Sequence, residues 1–84
     1  LKGEVEMKRI ELVKIQFETK KKEVAELQKE LERLTEDVNQ EVEKGNYNMA
    51  GQLGTKLSEI AYRLDTMKKD VKFFEEMVGQ LEQE

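Results

Sequence analysis

The sequence predicts an all-α fold, an antiparallel two-helix coiled-coil hairpin, on three observations. Apolar residues recur at heptad spacing through most of the chain, proline is absent, and the apolar seam loses phase once, beside a glycine–asparagine pair. A phase break at a helix-stop signal divides one long amphipathic strip into two helices that face each other.

The first helix is expected from about residue 4 to about residue 44. With Ile10 at heptad position a, Phe17, Val24, Leu31 and Val38 follow at a, while Val13, Leu27 and Leu34 occupy d. Lys20 and Glu41 are the two polar residues at d. The Lys20 stem has to cross the seam beside Phe17, Val71 and Phe74 to bring its ammonium to water, and a polar seam residue of this kind fixes register at some cost in stability.

Gly45 and Asn46 come next, a left-handed stop after Lys44 followed by an N-cap for the second helix. That helix is expected from about residue 47 to about residue 82, with Ala50, Leu57, Leu64, Val71 and Val78 at a and Leu53, Ile60, Met67, Phe74 and Leu81 at d. Its seam has no polar interruption. Folding back about the turn pairs Val38 with Leu53, Leu34 with Leu57, Leu31 with Ile60 and Leu27 with Leu64, and further out Val24 with Met67, Phe17 with Phe74, Val13 with Val78 and Ile10 with Leu81. Each pair joins an a to a d position, as antiparallel packing requires, and the paired numbers sum to about 91. Each arm would be about 55–60 Å long. The alternative, one unbroken helix dimerised in parallel, conflicts with the phase: continuing from Val38 would place Gly45 at a and Asn48 at d.

Composition narrows the function. With 84 residues, 37% hydrophobic and 40% charged, the chain forms one domain at most and lacks the apolar mass for a thick core. It has no Cys and no His, so no disulfide or ordinary zinc site is expected, and no cofactor or metal. No apolar run approaches the ~20 residues of a membrane span, and LKGEVEMKRI has no signal-peptide core. An intracellular, cytoplasmic location without membrane contact is expected. A start at Leu1 suggests one module, residues 1–84, excised from a longer protein.

Catalysis is not expected. Ser58 and the threonines have no His to activate them, and Glu75 and Glu76 fall on solvated helix surface rather than in a pocket that would split their pKa values. The glycines of KGNYNMAGQLG lack the lysine and hydroxyl spacing of a phosphate-binding loop. No catalytic residue and no small-molecule substrate are assigned.

Three surfaces remain as candidates. Leu12, Ile15, Phe73 and Met77 are apolar outside the seam, at c, f, c and g, and antiparallel pairing turns the g sides of both helices onto one flank. They are the expected partner-binding residues, for a partner helix or a second copy, completing a three- or four-helix bundle. Gly51, Gly54, Ser58 and Ala61 form a stripe of small residues at b and e that would admit close approach of another backbone. Lys20, Lys21 and Lys22 lie opposite Lys68, Lys69 and Lys72, a basic collar that an acidic partner would recognise. Glu18, Glu23 and Asp70 are interleaved with it, which favours an ordinary salt-bridged surface. The net charge of −4 disfavours nucleic acid as a partner.

At the turn, Tyr47, Ala50, Leu53, Leu57 and Ile60 resemble the UVR motif, a short helical hairpin through which subunits of the bacterial excision nuclease meet. The likeness covers about a quarter of the chain, and Asn48, Gly54 and Thr55 stand where that family carries acidic and Arg-Asp residues, so no functional residue carries over. The same Tyr-x-x-Ala-x-x-Leu opening is similar to part of the middle-domain coiled coil of ring-forming disaggregase ATPases. Both resemblances imply a hairpin that other protein surfaces bind. The function expected is a non-enzymatic interaction or scaffolding module; the alternative is a regulatory lever inserted in an ATPase or nucleic-acid-processing enzyme.

Overall fold

A computed structural model describes residues 2–83, and their side chains from residue 8 onward. Two helices, α1 (Lys2–Glu43) and α2 (Tyr47–Gln83), pack side by side as an extended hairpin of 65 × 14 × 14 Å. The rod is somewhat longer than the expected 55–60 Å: at ~1.5 Å per residue the 42 residues of α1 alone span about 63 Å, and the turn adds the remainder.

From Ile10 to Leu81 every a and d position is buried or half-buried, including Lys20 and Glu41. The other half-buried side chains fall mainly at e and g, where a coiled coil shields its seam. Leu27, Ile60 and Leu64 form the centre, with Val24, Leu31, Leu34 and Met67 packed against them, in the expected register. The core is thin: among the described residues Val13, Leu27, Ala50, Ile60, Leu64 and Val78 are the buried apolar ones, and no large side chain is fully enclosed.

The turn is a Schellman motif. Gly45 is left-handed, with φ of 80°; its N–H donates to the Val42 carbonyl at 3.0 Å, and the Asn46 N–H donates to the Glu41 carbonyl at 2.9 Å. The Asn46 carbonyl accepts from Ala50 N–H at 2.9 Å, the first bond of α2, so Asn46 is the N-cap by position. Its side chain, expected to cap α2, instead donates from Nδ2 to the Glu41 carboxylate at 2.9 Å. Glu41 also lies 3.8 Å from Lys44 Nζ. The polar residue that interrupts the seam at this d position is therefore tied into the turn.

The helix surfaces show how the polar residues are accommodated. Thr35, Thr55 and Thr66 donate their hydroxyls to the carbonyls four residues back, so these β-branched residues satisfy their polar groups within the helix. Lys14 Nζ reaches Glu82 across the helices at 2.9 Å, both at position e, which is the pairing of flanks an antiparallel arrangement produces.

Candidate interaction surface

Leu12, Ile15 and Phe73 are exposed, at 62%, 62% and 57%, and Met77 is half-buried. The heptad angles order them around the rod: Met77 at g borders the seam, Leu12 and Phe73 at c lie further round, and Ile15 at f faces away from it. Phe73 meets the seam residue Phe74 edge-on, with ring centroids 6.0 Å apart. An open groove lined by Lys8, Arg9, Leu12 and Val13 runs along the same flank.

Further along that flank, toward the turn, a second open groove is lined by Glu23, Glu26, Leu27, Glu30, Arg63 and Met67. Beside it Tyr62 stands 77% exposed, over a shallow groove with Lys20, Glu23, Arg63, Thr66 and Met67. Tyr62 is not among the expected contact residues, although its f position sets it on the outward side of α2 in line with Thr66, Phe73 and Met77, a signal the helical wheel carries. Val42, Tyr47 and Met49 are exposed apolar residues at the tip, and of these only Tyr47 stands out in the sequence, as the aromatic of the turn motif.

The collar divides. Lys20 lies 3.6 Å from Glu23, Lys21 3.1 Å from Glu18 and Lys69 3.3 Å from Asp65. Lys21 Nζ also sits 4.5 Å above the Phe17 ring. Lys22, Lys68 and Lys72 make no ion pair among the described residues. The Lys20 side chain is 34% exposed, its ammonium ends beside the Glu23 carboxylate, and it lines the shallow groove with Tyr62 and Met67.

Gly51, Ser58 and Ala61 are exposed and Gly54 is half-buried. A Cβ at Gly51 or Gly54 would meet no atom within 4 Å, so α1 does not require the small residues at these two positions. Among the described residues no cluster of His, Cys, Asp or Glu is placed to hold a metal ion, and no helix is long and apolar enough to cross a membrane. Comparison with protein-family models, curated proteins and solved structures finds no match to the chain.

Proposed function

We propose that the hairpin is a non-enzymatic protein-interaction module that presents the flank of Leu12, Ile15, Phe73 and Met77 to a partner helix. One observation carries this reading: large apolar side chains stand exposed on one flank of a rod whose own seam is already filled. Single exposed apolar residues are normal, but a group converging on one flank marks contact in most proteins that have one. A helix suits the site because ridges of side chains on a rod take up the grooves of another helix.

The test is Phe73→Glu combined with Met77→Glu. Two carboxylates in the middle of the flank are expected to weaken association at least ~10-fold, since burying an unpaired charge is strongly unfavourable. Helicity by circular dichroism serves as the control, because Phe73 also touches Phe74. Unchanged mass in solution, with unchanged cross-linking to any partner, would sink the reading.

A further inference from the structure

The geometry points to a second copy of this chain as the occupant of that flank, related by a two-fold axis that crosses it at the level of Phe73. This rests on the docking reading above and adds the partner's identity.

Area is the first argument. A compact monomer of 9.9 kDa exposes about 5,200 Å² by the usual size scaling, whereas this chain exposes 6752 Å², an excess of about 1,500 Å². A stable interface removes about 800 Å² from each partner, so the rod has enough unburied surface for a dimer without unfolding anything.

Charge order along the flank is the second and more specific argument. Residues on opposite helices lie at one level when their numbers sum to about 91, which puts Met77 level with residue 14 and Phe73 level with residue 18. From the open end toward the turn, the flank reads basic at Lys8 and Arg9, then apolar, then acidic on balance, where Glu23, Glu26 and Glu30 outnumber the single Arg63 that lines the same groove. Glu23 is engaged by Lys20, but Glu26 and Glu30 have no ion pair among the described residues.

Within one rod the basic pair and Glu26 are ~26 Å apart and cannot meet. A two-fold axis through the apolar segment exchanges the two ends. It lays Lys8 and Arg9 of each copy into the other's glutamate groove, and the midpoint between these charge groups falls near the level of Phe73. An isologous contact requires this kind of self-complementarity, and the resulting assembly is a staggered four-helix bundle with its tips pointing apart.

The full chain is tested by sedimentation over a concentration series up to roughly 500 μM at low salt, where such rim charges are least screened. A reversible monomer–dimer equilibrium is expected, with a largest dimension in solution scattering of ~80 Å, since each rod extends ~40 Å beyond the axis. Lys8→Glu with Arg9→Glu, and separately Glu26→Lys with Glu30→Lys, should each weaken the dimer at least ~10-fold, and mixing the two variants should restore it, because like charges across an interface repel and opposite ones attract. Monomer throughout the series, a dimer no longer than the single rod, or mixing without rescue would overturn the second copy. A photoreactive phenylalanine at position 73, used in cells, separates this from the broader reading. An adduct of twice the chain's mass supports the second copy. An adduct with another protein overturns the second copy and leaves docking standing, and no adduct overturns both.

Discussion

Three glycines within ten residues should respond to alanine with opposite signs, because their backbones and surroundings differ. Gly51 and Gly54 lie inside α2, with open space where a Cβ would project. Each glycine costs a helix about 0.8–1 kcal/mol relative to alanine, so Gly51→Ala with Gly54→Ala should stabilise the hairpin by about 1.5–2 kcal/mol. For a domain of this size that corresponds to a rise in Tm of about 10 °C. Gly45 has equally open space but a φ of +80°, a conformation that penalises an L side chain. Gly45→Ala should therefore lose about 1 kcal/mol, a fall in Tm of about 4–8 °C, even after the stiffer unfolded chain is counted. Thermal melts followed by circular dichroism, at several fixed protein concentrations, measure both effects and allow for self-association. If the double variant left Tm unchanged or lowered it, the stripe would have to be covered by a neighbour that tolerates no methyl groups, and open space in the isolated hairpin would be the wrong basis for the prediction.

Other substitutions probe the seam and the turn. Leu64→Ala, at a residue only 5% exposed in the central cluster, should cost about 2–3 kcal/mol, near the low end for leucine truncation because a thin core is easily rehydrated; a urea midpoint shift checks it. Lys20→Leu should raise stability in the same assay while broadening the mass distribution in solution, since the charge that disfavours other registers is gone. Glu41→Ala should cost about 0.5–1 kcal/mol in Tm-derived stability through loss of the contacts with Asn46 and Lys44, whereas Glu43→Ala should be nearly neutral.

The seams from Ile10 to Val38 and from Ala50 to Leu81 are legible in the sequence because a heptad repeat admits only one buried face, and the phase break at Gly45 leaves only a reversal to reconcile the two. The role of Glu41 is not legible, because heptad spacing registers it as a failed d position, while its partners come from the geometry of the Schellman turn. Lys14 and Glu82 escape notice for a related reason: their contact depends on the e flank of both helices, and seam pairing alone does not reach it. The flank residues are legible as apolar positions around the wheel, but how far they stand out from the rod is a matter of packing. Tyr62 shows the difference: its f position turns it outward, but only the packing around it leaves it 77% exposed.

A hairpin closed by a single tight turn does not hold its two ends on equal terms. Bringing Val38 to Leu53 closes a loop of ~15 residues, while bringing Ile10 to Leu81 without the intervening seam closes one of ~70, a difference of about 1.4 kcal/mol in chain entropy. Pairing therefore starts at the Gly45 tip and travels outward like a zipper, each layer making the next one cheap to close. The open end, which carries Leu12 and Phe73, closes last and opens first. A partner seated there acts as a clasp, and the stability of the whole rod becomes a reading of whether that clasp is fastened.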